Sequence, residues 1–214
     1  MPIGRGVAGF RKSLIVQNHL DELKGTEGEK IRAMALSFEG RDPYTAGHQR
    51  RVSKLAGAIA REMGASDNDF KGICLAAAIH DIGKSSVPVG ILNKSGPLTE
   101  FELSIVKGHP QSGHDMLQGI EFPWPIAKIV LQHHEMLDGS GYPRGLRGSQ
   151  IMLQSRIVTV ADVFEAMIAD RPYRPRFSIG EALAHLIENQ GRLYDERAVD
   201  ACIWLLNIKG FRLD

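Results

Sequence analysis

An all-α bundle is the fold this chain predicts, and three observations point there. Apolar residues recur at helical spacing along several segments. No segment sustains the two-residue alternation that a half-buried strand requires. The periodic stretches are joined by short loops rich in glycine and proline. With 214 residues, 43% of them hydrophobic, the chain is long enough to bury one sizeable core.

Taken in order, residues 1–28, with Gly4, Gly6, Gly9, Gly25 and Gly28, are expected to form a short leading helix and linker. A single domain then spans 29–214. Over 46–63 an apolar stripe at Val52, Leu55, Ala56, Ile59, Ala60 and Met63 marks an amphipathic helix, with Gly64 as its stop. His48 lies one turn before Val52 and extends that stripe inward. Residues 68–82 form a largely apolar helix that ends at His80-Asp81, where Gly83 breaks it. Thr99-Glu100-Phe101-Glu102 has the form of a capping box, so a helix starts there and runs to about Lys107. Gly108-His109-Pro110 ends it. Residues 125–134 and 151–169 read as two more helices, and 178–190 and 198–206 close the chain. There is no internal repeat and no low-complexity segment.

Charge and cysteine usage narrow the function classes. The formal net charge is +1, from 26 basic and 25 acidic residues mixed along the chain. No basic stripe suited to polymeric nucleic acid is present, although a few local arginines suffice for a small anion. Cys74 and Cys202 sit in apolar helical sequence, as reduced core thiols of a cytoplasmic protein would. Arg11 and Lys12 interrupt any signal-peptide core, and no apolar run approaches the roughly 20 residues that span a bilayer. Membrane insertion is not expected.

Two clusters carry the chemistry. His80-Asp81 ends the run Ala76-Ala77-Ala78-Ile79, and His133-His134-Glu135 shortly precedes Gly141-Tyr142-Pro143. Each places metal-capable side chains at the edge of an apolar helix, where an unpaired charge costs several kcal/mol. Nitrogen and oxygen donors without cysteine favour a hydrolytic metal centre over a structural zinc site. Adjacent helical residues point about 100° apart, so His80 and Asp81 each need a partner at depth. Asp162 stands amid apolar residues on nearly every face of its helix, a costly position that favours a ligand role. A lone His48 on a core face is more often a hydrogen-bonded core histidine. His109, in a turn after a helix, is balanced between the two readings. His19, His114 and His185 fall in ordinary amphipathic or polar sequence.

Together these motifs resemble the HD-GYP family, a branch of the HD metal-dependent phosphohydrolases. The resemblance runs from about Arg41 to Asp195 and rests on Arg-Asp-Pro-Tyr-Thr-Ala-Gly-His at 41–48, His-Asp-Ile-Gly-Lys at 80–84 and Lys-Gly-His-Pro at 107–110. It continues in His-His-Glu-Met-Leu-Asp-Gly-Ser-Gly-Tyr-Pro at 133–143, Val-Ala-Asp-Val-Phe-Glu-Ala at 160–166 and Arg-Pro-Tyr-Arg at 171–174. It implies a helical bundle of the HD phosphohydrolase type with extra C-terminal helices. It also implies that His48, His80, Asp81, His109, His133, His134 and Asp162 bind metal. Tyr142, Arg171 and Arg174 would contact substrate, and Lys84 would lie beside the reacting phosphate. The implied activity is hydrolysis of cyclic di-GMP to linear pGpG in the cytoplasm.

The residues fit that chemistry on their own terms. Two divalent cations about 3.5–4 Å apart share a bridging hydroxide and clamp a phosphodiester for in-line attack. Asp81 is the natural bridging carboxylate. His48, His80, Asp81 and Asp162 would complete one site, and Asp81, His109, His133 and His134 the other. Iron or manganese leads, with cobalt, nickel and zinc as alternatives for such ligands. Lys84, four residues after His80, shares its helical face if the helix persists through Gly83, and would stabilise developing phosphorane charge. Arg171 and Arg174 are spaced to grip one phosphate, and the Tyr142 ring is placed to stack on a base. Glu135 and Asp138 are assigned to orienting the histidines or the loop. Other cyclic dinucleotides, such as cyclic GMP-AMP, and a non-catalytic sensor or scaffold are the alternative readings.

Two departures from the family pattern matter. Many relatives follow a sensor, receiver or membrane domain, whereas about 40 residues precede the first motif here, as in a stand-alone domain or an excised piece. Four residues before His48, where some members carry a glutamate for a third metal, this chain has Tyr44, a neutral phenol. A two-metal centre that releases pGpG ahead of GMP is therefore expected. Phe10, Leu14, Leu20 and Leu23 form a short apolar seam, a candidate for pairing two chains or holding a signalling partner, but too short to specify an oligomer.

Overall fold

The computed structural model describes residues 45–169 and 176–213, and these fold as helices without a strand among them. The leading helix and linker expected over 1–28 lie outside the described residues, as do Tyr44, Arg171 and Arg174.

The long first helix, α1 (Thr45–Glu62), buries most of the expected stripe: Val52, Leu55, Ala56, Ile59 and Ala60 have no exposed surface, while Met63 lies just past the helix end and is partly buried. It packs on α2 (Asp67–Ile79), whose start is capped by the Ser66 hydroxyl accepting from Asp69 N at 3.1 Å. Asp67 and Asp69 in the first turn suit the positive end of the helix dipole. From Gly72 to Ile79 every residue of α2 is buried, so this helix is apolar on all sides and runs through the centre of the molecule. It stops at Ile79, three residues short of the expected end at 82, with His80 as its cap. A 3-10 turn (Ile82–Ser86) follows, then a single turn, α3 (Val89–Leu92).

The expected capping box opens α4 (Glu100–Lys107), with Thr99 Oγ1 accepting from Glu102 N and the Glu102 carboxylate accepting from Thr99 N. Gly108-His109-Pro110 does end α4, but another helix, α5 (His109–Leu117), begins at once. The sequence reading missed it because proline was read as a terminator. In the first turn of a helix its missing N–H costs nothing, and its fixed φ already suits the helix. Further on come α6 (Ile126–Gln132), the central α7 (Leu153–Ile168), α8 (Ile179–Glu188) and α9 (Glu196–Asn207). Ser178 and Glu181 form a second capping box at α8, and Asp195 caps α9.

Helices α1, α2, α7 and α9 enclose one core, with Phe164, Leu55, Ile59, Ile73 and Ile157 among its largest fully buried side chains. Truncating such a side chain to alanine costs on the order of 2–5 kcal/mol. Cys74 and Cys202 are buried free thiols in this core, in keeping with the reading of reduced structural cysteines. No helix among the described residues is long and apolar enough to cross a membrane.

Gly83 sets how the pieces around the His80 end meet. A Cβ there would lie 2.0 Å from His109 O and 2.4 Å from Gly113 N. Only glycine lets the 3-10 turn press directly on the first turn of α5. This brings His80-Asp81 and His109 to the same end of the bundle.

Candidate metal centre

The buried histidines are held by one repeated local device. His80 Nδ1 donates to Ala77 O at 2.7 Å, His109 Nδ1 to Val106 O at 2.7 Å, and His133 Nδ1 to Val130 O at 2.6 Å. Each acceptor is the carbonyl three residues earlier, one of those a helix leaves free at its C-terminal end. A carbonyl only accepts, so Nδ1 must carry the proton and Nε2 presents a lone pair to the interior.

Those lone pairs converge. His109 Nε2 and His133 Nε2 face each other at 3.2 Å, and in this tautomer neither has a proton to share. Asp81 Oδ1 lies 3.3 Å from His109 Nε2 and 4.0 Å from His133 Nε2. Its other oxygen, Oδ2, lies 3.5 Å from His80 Nε2 and 3.9 Å from His48 Nε2. Asp162 Oδ1 closes this second group, 3.1 Å from His48 Nε2 and 3.6 Å from His80 Nε2. The donors thus fall into two sets, Asp81 with His109, His133 and His134, and His48 with His80 and Asp162. Within each set the candidate ligand atoms lie within 4.8 Å of one another.

His80 Nε2 and Asp81 Oδ1 are buried without a hydrogen-bond partner. Converging lone pairs and an orphaned carboxylate oxygen are unfavourable by themselves and suited to cations, so this donor set fits metal ions. Electrostatics agree. Burial, with help from neighbouring histidines, holds His133 neutral well below the usual imidazole range, and burial pushes His134 down to about 3. Burial alone would raise the Asp81 carboxyl, but the Lys84 ammonium beside it overcomes this and keeps Asp81 ionised. Asp162 is likewise held ionised against its burial by His48. Neutral imidazoles and charged carboxylates are the forms a metal takes.

His48 is anchored differently. Its Nδ1 donates to Glu165 Oε2, while Glu165 Oε1 accepts from Arg51 Nε and Nη2, both at 2.5 Å. Burial opposes a charged His48, yet Asp162 and Glu165 carry it up to about 9, so His48, unlike His133 and His134, must shed its Nε2 proton before that nitrogen can take a cation. Glu165 is fully buried, one turn after Asp162 on α7, and Arg51 is one turn after His48 on α1. Sequence reasoning assigned neither residue a role. The available signal was a second acid, three residues after Asp162, in an otherwise apolar helix.

The remaining expectations resolve one by one. Lys84 does not continue the helix of His80, because the chain turns into 3-10 geometry at Ile82. It reaches the centre by another route, with Nζ donating to Asp81 Oδ2 at 2.6 Å. Glu135 secures the loop rather than the histidines, accepting from Arg144 N at 2.7 Å and Leu146 N at 2.8 Å. Asp138 does the same, accepting from Ser140 N and Oγ. Gly141 packs against the main chain of the histidine pair, where a Cβ would lie 2.4 Å from His134 O. Tyr142 N donates to His134 O at 3.1 Å, and the Tyr142 ring lies 4.8 Å from the His134 ring with Lys107 Nζ 5.5 Å from its centroid. His114 pairs with Asp115 and His185 with Tyr194, in line with their ordinary sequence settings.

A family model described as HD domain matches residues 32–198. The chain is 42% identical over 186 residues to the cyclic di-GMP phosphodiesterase response regulator RpfG of Xanthomonas campestris, covering 86% of this chain and 49% of that protein. It is 39% identical over 178 residues to 3'3'-cGAMP-specific phosphodiesterase 3 of Vibrio cholerae, covering 83% of this chain and 39% of that protein. The chain therefore spans about half the length, or less, of these curated relatives. Among solved structures, Bd1817, an HDG"Y"P protein from Bdellovibrio bacteriovorus, aligns with a TM-score of 0.66 at 20% identity, over 89% of this chain and 69% of that one. That likeness carries the fold alone.

Proposed function

This chain belongs to the HD domain family, and we propose that it hydrolyses cyclic di-GMP to linear pGpG at a centre of two divalent cations. The observation that carries this reading is Asp81, whose two oxygens face two separate donor sets. A carboxylate shared in this way is what a bridged pair of ions requires. The similarity to a cyclic di-GMP phosphodiesterase supports the substrate. A second reading, cyclic GMP-AMP as substrate, is favoured by the 39% identity to a cGAMP-specific phosphodiesterase.

When bound, the cations supply Lewis-acid clamping of the phosphodiester and a water acidic enough to attack it. The chain's own groups do the rest. His80, His109 and His133 hold fixed orientations through their carbonyl bonds, so the donor geometry is set before any ligand arrives. Lys84, held beside Asp81, is positioned to stabilise negative charge that grows on the phosphoryl oxygens. Tyr142 offers a ring to a base, and Arg171 and Arg174 are proposed to grip a phosphate. Nitrogen and oxygen donors accept iron, manganese, cobalt, nickel or zinc, and of these iron or manganese is proposed as the resident metal. A cytoplasmic setting belongs to the same proposal. With Tyr44 in place of an acid near His48, pGpG should accumulate ahead of GMP.

The test is turnover of purified protein with each cyclic dinucleotide after anaerobic reconstitution with iron or manganese, followed by chromatography. Cyclic di-GMP should be consumed with pGpG as the early product. Faster turnover of cyclic GMP-AMP would establish the second reading, and no turnover of any cyclic dinucleotide would refute the proposal.

A further inference from the structure

A cavity of about 610 Å³ opens beside the metal centre, between the α3 segment and α4, with Lys84 in its wall. Ile91, Leu92, Leu98, Leu103 and Val106 supply its aliphatic sides. The volume falls within the roughly 300–1,000 Å³ of small-molecule sites, which are mostly apolar with few polar groups. Leu103 is 42% exposed, and Val89 nearby on α3 is 48% exposed. Apolar side chains gathered around an open cavity signify a ligand more often than a core.

We propose that this cavity is a nucleobase pocket of the same cleft, taking one purine of the cyclic dinucleotide while Tyr142 takes the other. The inference rests on the proposed substrate. Three observations assign the occupant. First, the cavity shares Lys84 with the centre, where Lys84 Nζ lies 2.6 Å from Asp81 Oδ2. Second, the two ammonium groups in its wall are already matched, Lys84 by Asp81 and Lys94 by Glu102 at 2.6 Å. Beyond Lys84, which serves the centre, a phosphate would find no spare cation in the wall, whereas a flat, uncharged base gains from aliphatic contact.

Third, α4 connects the parts. It contributes Leu103 and Val106 to the cavity and Lys107 to the Tyr142 ring, and Val106 O holds His109. One short helix thus ties the pocket, the Tyr142 loop and a metal-facing histidine into a single cleft. The cavity and the Tyr142 ring are both tied to the donor set, as two base positions of one substrate need. Aliphatic walls read size and flatness rather than exocyclic groups, so this pocket selects purine without separating guanine from adenine.

Leu103→Trp and Leu98→Trp would each fill part of the cavity. The readout is the ratio of kcat/KM for cyclic di-GMP to that for methyl p-nitrophenyl phosphate, a diester without a nucleobase. Metal content and circular dichroism monitor the fold. Both variants should lower the ratio at least tenfold, with a matching loss of affinity for a phosphorothioate analogue of cyclic di-GMP that resists hydrolysis. If one variant does not fold, the other carries the test. A ratio within twofold of wild type in a folded, metal-loaded variant overturns the pocket and leaves the proposed function standing. Wild-type protein that cleaves the small diester but no cyclic dinucleotide overturns the proposed function, and the pocket's ligand with it.

Discussion

Replacing Glu165 with glutamine tests whether the two donor sets are built to different strengths. His80, His109 and His133 lean on main-chain carbonyls, which no side-chain substitution removes. His48 alone among the metal-facing histidines leans on a carboxylate, and that carboxylate is fully buried and paired with Arg51. In Glu165→Gln the charge facing His48 Nδ1 disappears, the Arg51 guanidinium loses its counter-charge, and the His48 ring is freer to turn. Losing such a supporting partner typically lowers metal affinity 10–100-fold, or about 1.4–2.7 kcal/mol. The loss should fall on the ion held by His48, His80 and Asp162, leaving the other donor set nearly intact. Competition against a graded chelator, followed by elemental analysis, should show about two ions per chain in the parent falling towards one in the variant. Equal retention of both ions at every chelator concentration would refute the argument that Glu165 governs one site, and equal loss of both would refute its selectivity.

Other substitutions separate the remaining roles. Asp81→Asn removes the carboxylate whose oxygens face both sets, so metal content should fall at both sites and activity should vanish; full occupancy in that variant would sink the bridging assignment. Lys84→Ala should leave metal content near that of the parent and lower kcat by roughly 10–150-fold, the equivalent of one charge-assisted bond worth about 1.5–3 kcal/mol, with KM little changed. A change confined to KM would remove Lys84 from the chemistry. Gly83→Ala drives a Cβ to 2.0 Å from His109 O, so the turn and α5 must separate, at a cost of about 3 kcal/mol or more. Thermal unfolding should show a drop of about 6–12 °C. Gly119→Ala, which meets nothing within 4 Å, should stay near the parent value, and similar melting of the two variants would contradict the close-approach argument.

Much of the centre was legible because its residues are expensive where they stand. A histidine-aspartate pair ending an apolar run, and an aspartate amid valines and isoleucines, have no stable place in a core without a partner, so composition and spacing alone marked His80, Asp81 and Asp162. The helix start at Thr99 was equally legible, because a capping box is a contact between residues three apart. Helix α5 escaped notice because Pro110 is compatible with either the end or the start of a helix. Glu165 and Arg51 escaped because they are 114 residues apart, and only the packing of α1 against α7 makes them partners.

What the sequence determined by itself was therefore local: where helices begin, which faces are apolar, and which side chains need compensation for burial. Only the tertiary structure decided which candidate donors come together, and that Lys84 meets Asp81 through a 3-10 turn instead of along a helix face. It also placed Lys84 in the wall of the cavity at Leu103. The physical reason is range. Periodicity and capping act over one or two turns, whereas a ligand set is a convergence of chain ends from separate helices. At Gly83 that convergence depends on a missing methyl group, whose meaning appears only when α5 is packed against it.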